Sequence, residues 1–384
     1  MRNLSCIVFF FCFASLSRSQ EADTNITDSL AFRGQLSAWA HFNPSNDLLI
    51  NLGGRYIPEI SYGIQFPGNH LIDLEITANV FGNTGFNFQD SADFNGKIKP
   101  YRAWIRYSSE QFELRAGLQK INFGSASMLR PLMWFDQIDA RDPLQLTDGV
   151  WGLLGRYYFL NNANLWLWVL YGNKNPKGWE QIKTNVRYPE FGGRLQLPFP
   201  KGEAGLSYHH RDADSRDMDS LFAAIDRIPE NRIGLDVRFD LVVGCWLEGS
   251  WIGKRKDLGI LTHQHLLNLG LDYTFGIGNG IYTAFEQLIV SADEKAFAFE
   301  DPFTFSLLTL NYPVSIFDNL SAIVYFSWEN HSLYNFIYWQ RQFNRFAFYI
   351  MAYWNPEDYR IPAQAEAENL YAGKGVQVMM VFNH

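Results

Sequence analysis

Apolar and polar side chains alternate along most of the chain. Within 71–81, for example, Leu74 and Ile76 alternate with Asp73 and Glu75. Successive side chains of an extended strand point to opposite faces, so a period of two predicts strands with one apolar and one polar face. The alternating runs are roughly 9–12 residues long, which is the length that a tilted strand needs to cross a bilayer.

The alternation predicts 18 strands, an even number that places both chain ends on the same side. The strands lie near 30–42, 48–66, 70–81, 99–109, 111–121, 150–160, 164–173, 188–197, 203–211, 231–241, 244–253, 263–275, 280–291, 303–312, 320–329, 333–341, 346–354 and 374–384. The weakest is 48–66, because Pro58 and two glycines interrupt it. Sixteen strands is therefore the fallback.

The predicted connections alternate between short and long. The short ones are 66–70, 108–111, 161–164, 198–202, 240–244, 276–280, 313–319 and 342–345. The long ones are 82–99, 122–149, 174–188, 212–230, 254–262, 292–302 and 355–373. Short turns at one end and long loops at the other are typical of a transmembrane barrel. The predicted fold is thus all-β, a closed antiparallel barrel in which every backbone group is paired within the sheet.

The longest predicted connection, 122–149, carries unusual apolar bulk for a surface loop, including the run Met133, Trp134 and Phe135. We expect it to fold into the lumen or to pack over the mouth of the barrel. Its charged candidates are Arg130, Asp136, Asp139, Arg141 and Asp142. They can form a constriction or a solute clamp, or they can be an ion-pair network that only anchors the folded loop.

The N-terminus has the form of a secretory signal peptide. A basic start is followed by a short apolar core and then small and polar residues, so we expect 1–20 to be removed and 21–384 to form the barrel. Removal takes away Arg2 and Arg18 and no acids, which changes the net charge from −8 to −10. Nothing in this balance indicates a nucleic-acid partner. Cys245 is the single remaining cysteine, which excludes a disulfide within the mature chain.

The polar faces of the predicted strands carry both signs of charge. The candidate pore-lining residues are Arg102, Arg106, Arg115, Arg156, Arg194, Glu113, Asp73 and Glu75. Fixed charges around a pore set its ion selectivity, and the arginines favour an anionic or polyhydroxylated solute. The alternative is that opposite charges pair across strands and only fill the interior.

Other chemistries have weaker support. The segment 212–219 is acidic, but Asp217 stands where a calcium loop of the EF-hand type requires glycine. His263 and His265 lie two residues apart without a third ligand in view, and we predict neither metal nor cofactor. A lipid hydrolase would need a serine and a histidine together at the membrane-facing rim, for which Ser207 with His209, and Ser250 with His263, are the nearest pairs.

The segment 115–124, with the sequence Arg-Ala-Gly-Leu-Gln-Lys-Ile-Asn-Phe-Gly, resembles a pattern of outer-membrane porin-like barrels of Gram-negative bacteria, including the alginate-export group. There it leads into a large loop followed by an Asp-rich stretch similar to 136–143. The last run, 376–382, resembles the terminal strand that barrel assembly machinery recognises. The resemblance implies an outer-membrane location with lipid and that machinery as partners.

Pattern and resemblance together predict an outer-membrane channel rather than an enzyme. It would provide passive or facilitated passage for small polar or anionic solutes. The alternatives are a barrel for polysaccharide export or surface assembly and, with less support, a lipid hydrolase. The sequence leaves open the solute, the direction of transport and whether the chain forms an oligomer.

Overall fold

The computed structural model describes residues 27–45, 48–87, 92–138, 141–218, 224–357 and 370–384. The predicted signal peptide and the loop candidate Asp139 lie outside these residues. Within the described ranges, no helix is long and apolar enough to cross a membrane.

The described chain folds into one antiparallel sheet of 18 strands. The strands are β1 Thr27–Phe42, β2 Ile50–Phe66, β3 His70–Phe86, β4 Ala92–Ser108, β5 Phe112–Gln119, β6 Val150–Tyr158, β7 Asn164–Leu170, β8 Glu190–Phe199, β9 Gly202–Ala213, β10 Ile228–Asp240, β11 Gly244–Lys254, β12 His263–Phe275, β13 Ile281–Asp293, β14 Phe303–Pro313, β15 Asp318–Ser327, β16 Ser332–Gln342, β17 Phe346–Trp354 and β18 Lys374–Asn383.

The sheet closes on itself, because β1 pairs with β18 as well as with β2. This confirms the predicted barrel of 18 strands over the fallback of 16. Strand β2 runs through Pro58 without a break. Its ladder with β3 passes from the pair Tyr56–Val80 to the pair Glu59–Thr77. Proline has no N–H to donate, so an irregular ladder at this point is the expected way to accommodate it.

The predicted long loop 82–99 is wrong. Strand β3 continues to Phe86 and β4 starts at Ala92, so most of the segment is paired strand. On β3 the run 82–85, Gly-Asn-Thr-Gly, has no apolar side chain to alternate. On β4 the cause is a bulge: Thr77 pairs with Arg102 and Ala78 with Pro100, which leaves Tyr101 as an extra residue. A bulge reverses which residues face inwards, so the alternation loses phase at this point and the strand is hard to recognise from sequence.

The connections at the two ends of the barrel differ in length. Those that follow even-numbered strands have at most five residues, as in 276–280. The longest at the opposite end is 120–149, between β5 and β6. Both described chain ends lie at the short-turn end. This arrangement agrees with the predicted alternation, apart from the β3–β4 connection.

The outward-facing side chains form an apolar surface bounded by aromatic residues. On β12, for example, Leu269 and Leu271 are 47% and 49% exposed. Exposed aromatic residues near the short turns are Tyr107, Tyr157, Phe159, Phe239, Tyr273, Phe275, Phe343 and Phe346. Those near the long loops are Trp151, Tyr171, Trp328 and Trp354. Aromatic belts on either side of an apolar band are characteristic of barrels embedded in a bilayer.

Two neighbouring residues of β2 test this assignment of faces. Ile60 is 45% exposed on the outer face, whereas Glu59 faces inwards and is half-buried. Ile60→Arg places a charge in hydrocarbon and is expected to destabilise the barrel by about 2–4 kcal/mol if the residue lies near the midplane. Glu59→Arg is the matched control and is expected to cost less than about 1 kcal/mol. Urea unfolding of the barrel in lipid vesicles measures both, and equal costs would contradict the assignment.

Candidate functional site

The inner face combines large aromatic side chains with glycines. A Cβ at Gly192 would lie 2.9 Å from the Trp168 indole, and one at Gly270 would lie 1.9 Å from the Trp246 indole. Each indole therefore lies flat over a glycine of the neighbouring strand. These two inward-facing glycines thus leave room for an aromatic side chain of the neighbouring strand to cover their backbone.

The connection 120–149, hereafter the inner loop, packs first against β6, β7 and β9. Phe123 stacks on Trp168, with ring centres 5.7 Å apart. Phe135 contacts the same indole edge-on at 5.4 Å and the His209 ring at 5.0 Å. Trp134 is fully buried beside them. The apolar bulk noticed in the sequence is therefore packed against inward-facing side chains of the barrel.

The inner loop is also held by two buried carboxylates on other strands. Glu286 of β13 accepts hydrogen bonds from the backbone N–H groups of Ser127 at 2.8 Å and Leu129 at 2.6 Å. Glu248 of β11 accepts them from Ala126 at 2.8 Å and from Leu132 at 2.7 Å. The two glutamates, hereafter the anchor carboxylates, are 1% and 0% exposed. Such charge-assisted bonds are stronger than bonds between neutral groups.

Apolar contacts extend the inner loop's attachment further around the barrel. Leu129 and Met133 belong to a buried cluster with inward-facing residues of β11 to β17, among them Phe305, Leu307, Ile323, Phe336, Met351 and Tyr353. The Trp134 indole N–H donates to Ser250 Oγ at 3.0 Å. The inner loop contacts β7 and β9 on one side and β11 and β13 on the other, and its Leu144 packs against a core of β17 and β18. It therefore crosses the interior and narrows it.

The charged candidates of the inner loop play two different parts. Arg130 pairs with Asp136 at 2.9 Å and donates to the Phe123 carbonyl at 2.8 Å, and both charged side chains are buried. This pair holds the loop's own conformation. Asp142 accepts from the Leu144 N–H at 2.9 Å and stabilises a turn. Arg141 instead lies over the Tyr371 ring, 4.9 Å from its centre, and lines a cavity.

A second inward segment, from the β7–β8 connection, supports the inner loop. The Trp179 indole donates to the Arg130 carbonyl at 2.8 Å. Glu180 pairs with Arg232 at 2.6 Å and with Arg211 at 3.1 Å, and all three are almost completely buried. Glu230 accepts from the same two arginines, at 2.6 and 2.8 Å. Buried ions need such multiple partners because each is costly to remove from water.

The arginines of β4, β5 and β6 gather on the opposite part of the inner face, and we call Arg102, Arg106, Arg115 and Arg156 the basic wall. Arg106 makes a bidentate pair with Asp73, at 2.9 and 2.7 Å. Glu113 lies 3.1 Å from Arg115 and 3.6 Å from both Arg106 and Arg156. One carboxylate is therefore shared by three guanidinium groups.

Two arginines of the basic wall lie over the rings of tryptophans. The Arg156 guanidinium lies 3.9 Å from the centre of the Trp166 ring, and that of Arg115 lies 4.7 Å from Trp104. The side chains of Arg106, Arg115 and Arg156 stay 26%, 16% and 17% exposed. The inner loop leaves this part of the interior accessible.

Three other candidates are placed differently around the wall. Arg102 donates to the Thr147 carbonyl at 2.9 Å and so links the basic wall to the inner loop. Glu75 accepts from the Thr77 hydroxyl at 3.1 Å on the same inner face. Arg194 is 3% exposed and pairs with Asp236 at 2.6 Å, which buries it beside the inner loop.

A cavity of about 380 Å³ opens between the inner loop, β4 and the β7–β8 connection. Lys97, Lys99 and Lys174 line it together with Asp148, which pairs with Lys99 at 2.6 Å. Burial lowers the pKa of the nearby loop residue Lys120, while the Asp136 carboxylate opposes that shift. The surroundings of the inner loop on this side are therefore predominantly basic.

The serine and histidine candidates and the acidic residues near 212–219 form hydrogen bonds and ion pairs with neighbouring side chains. Ser207 Oγ accepts from Arg194 at 3.0 Å, and His265 lies 3.2 Å from Asp293. In the β9–β10 connection Asp214 pairs with Arg216 at 2.6 Å and Asp217 pairs with Lys183, and Asp212 at the end of β9 pairs with Arg227 at 3.2 Å. Among the residues that the structure describes, no group of three or more potential ligands could hold a metal ion.

The anchor carboxylates were not singled out as site residues from the sequence. The alternating pattern shows that both residues face inwards, which is the only available signal. Their partners are backbone N–H groups 122 and 159 residues away in the chain. No pattern of side chains identifies such partners.

The double variant Glu248→Ala/Glu286→Ala tests the attachment of the inner loop. It leaves several buried N–H groups without acceptors, each at a cost of about 1–3 kcal/mol, so we expect the loop to detach. Single-channel recording should then show a higher and noisier conductance than the unaltered barrel. Glu203→Ala removes another inward-facing glutamate, which among the described residues accepts a hydrogen bond from Gln196 alone, and should leave the conductance unchanged. A folded double variant with unaltered conductance would refute the role of the anchor carboxylates.

Among the comparisons with known proteins, only the comparison with solved structures found matches. No protein-family model matches the chain, and no curated protein sequence matches it. OccD3 (OpdP) of Pseudomonas aeruginosa is similar in structure, with a TM-score of 0.59 and 10% identity, over 92% of this chain and 91% of that one. The outer-membrane protein OmpT of Vibrio cholerae, solved in a trimer form, has a TM-score of 0.50 and 10% identity, over 93% and 99%. At such low identity the likeness shows a shared fold alone, a closed antiparallel β-barrel.

Proposed function

We propose that this protein is a channel of the bacterial outer membrane for small polar or anionic solutes. The observation that carries the proposal is the contrast between the two faces of the barrel. The outer face is apolar with aromatic borders, whereas the inner face is charged and is narrowed by a loop held in a fixed position. A barrel of this width cannot be filled by wall side chains alone, and the inner loop leaves the basic wall partly exposed.

The charge of the remaining interior favours anions. The basic wall and Arg55 contribute five positive charges, whereas Glu59, Asp73, Glu75 and Glu113 contribute four negative ones on the same inner face. Lys97 and Lys99 add positive charge nearer the long loops. The net charge of the mature chain is negative, but exposed charges more than about 10 Å away are screened at ordinary salt concentration. The local excess of arginine and lysine therefore governs selectivity.

Location and partners follow from the same reading. We propose that residues 1–20 direct export, that lipid surrounds the apolar band, and that assembly machinery recognises β18. The resemblance of 115–124 to the alginate-export group stays a prediction that rests on that segment alone. The contacts of Ser207 and Ser250 support packing rather than hydrolysis, because Arg194 and Trp134 respectively donate to their hydroxyl groups.

The selectivity is tested by the double variant Arg102→Ala/Arg106→Ala. Removal of two positive charges from the basic wall should lower the permeability ratio of chloride to potassium, which reversal potentials in planar bilayers measure. Arg345→Ala removes an exposed arginine at a short turn and should leave the ratio unchanged. A cation preference of the unaltered protein would contradict the proposal, as would an identical ratio in the double variant.

A further inference from the structure

A cavity of about 470 Å³ lies inside the barrel, away from the basic wall. One side is formed by residues 141–144 of the inner loop, and the other by inward-facing residues of β1 to β4 and β18. Its volume falls in the range of small-molecule sites, which is roughly 300–1,000 Å³. Leu144 and Trp39 pack against the same small core of β17 and β18, which fixes the loop side relative to the strand side.

Besides Arg141 and Asp142 of the inner loop, the cavity is lined by one further charged side chain, Arg55 of β2. Its guanidinium carbon lies 5.7 Å from the centre of the Trp39 ring and 5.5 Å from that of Phe81. Across the described residues Arg55 makes no ion pair, and its buried Nε has no hydrogen-bond partner. In this it differs from Arg106, which Asp73 pairs through two bonds. An arginine held between two rings without a carboxylate has its charge available to an anion from outside the protein.

Three side-chain amides line the same cavity as Arg55. Asn51, Asn83 and Asn95 line the cavity, and within the part of the chain that the structure describes none of their side chains makes a hydrogen bond. A side-chain amide both donates and accepts hydrogen bonds, so it is complementary to hydroxyl groups, which do the same. Asn51 is buried, Asn83 is half-buried and Asn95 is exposed. Three amides that line one cavity without a partner among the described residues suit a ligand with several hydroxyl groups.

The aromatic surface of the cavity is flat and fixed. A Cβ at Gly53 would lie 2.1 Å from the Trp39 indole, so the indole lies directly on the β2 backbone. Tyr371 contributes a second ring, whose hydroxyl donates to Gln377 at 3.0 Å. Flat apolar surfaces beside a few polar groups suit a ring whose faces carry C–H groups and whose edge carries hydroxyls.

We propose that this cavity binds a solute that combines a hydroxylated ring with one anionic group. Arg55 binds the anion, the three asparagine side chains bind the hydroxyls, and the aromatic surface contacts the face of the ring. The inference rests on the proposed channel function and specifies the class of solute. Carboxylate and phosphate both suit a guanidinium, so the anionic group can be either one.

Isothermal titration calorimetry on the folded barrel in detergent tests the proposal. The probes are quinate, a ring with a carboxylate, and glucose 6-phosphate, a ring with a phosphate. Glucose and inorganic phosphate each provide half of the chemistry. We expect at least one of the two anionic rings to bind about tenfold or more tightly than glucose and phosphate. If neither binds, or if inorganic phosphate binds equally well, the proposal is overturned.

Two substitutions assign the binding to this cavity. Arg55→Gln should weaken binding of the anionic ring about tenfold or more, whereas Arg33→Gln, an exposed arginine on β1 outside the cavity, should not change it. Asn83→Leu should weaken binding of the ring without affecting that of phosphate, and it serves if Arg55→Gln fails to fold. Unchanged affinity in both cavity variants overturns the proposal.

Conductance separates this inference from the proposed function. A barrel that conducts with anion preference but binds neither anionic ring remains a channel and refutes the binding site. A barrel that binds a ring through Arg55 but conducts no ions keeps the binding site and refutes the channel. Both results come from the same preparation, because bilayer recording and calorimetry use the same folded protein.

Discussion

The rest of this structure depends on the closure of the sheet between β1 and β18. An unpaired strand edge in hydrocarbon leaves N–H and C=O groups without partners, at several kcal/mol each. Residues 35–42 of β1 pair with 376–383 of β18, and every other strand pairs with both neighbours. Closure satisfies the backbone and allows the outer face to be apolar. It also creates an interior too wide for wall side chains to fill.

The inner loop occupies part of this wide interior. Several of its backbone N–H groups donate to the anchor carboxylates, and its apolar side chains belong to buried clusters with inward-facing residues of β6, β7 and β11 to β17. The loop leaves Arg106, Arg115 and Arg156 of the basic wall 16–26% exposed, whereas Arg102, which donates to the loop, is buried. Arg55 of β2 is half-buried. The asymmetry that gives the channel its proposed selectivity is thus a consequence of where the loop is held.

The sequence predicted the strands well because the period of two records which face meets lipid and which faces inwards. It failed on β4, where a bulge at Tyr101 reverses the alternation, and at the end of β3, where 82–85 carries no apolar side chain. The apolar run 133–135 indicated a packed loop, but the sequence does not show that Glu248 and Glu286 bind its backbone. Alternation shows that a side chain faces inwards, whereas pairing across the interior depends on three-dimensional register. For the same reason the sequence separated neither Arg55 from Arg106 nor Arg194 from the basic wall.

Hydrogen–deuterium exchange of the folded barrel tests the central claim, that the inner loop is held inside by buried carboxylates, most directly. Backbone amides of residues 126–132 would exchange quickly in an ordinary surface loop. Here several of them donate to Glu248 and Glu286 at 2.6–3.0 Å, so they should exchange as slowly as the strand amides of β11 and β13. Exchange of 126–132 as fast as that of the exposed turn 241–243 would contradict the account.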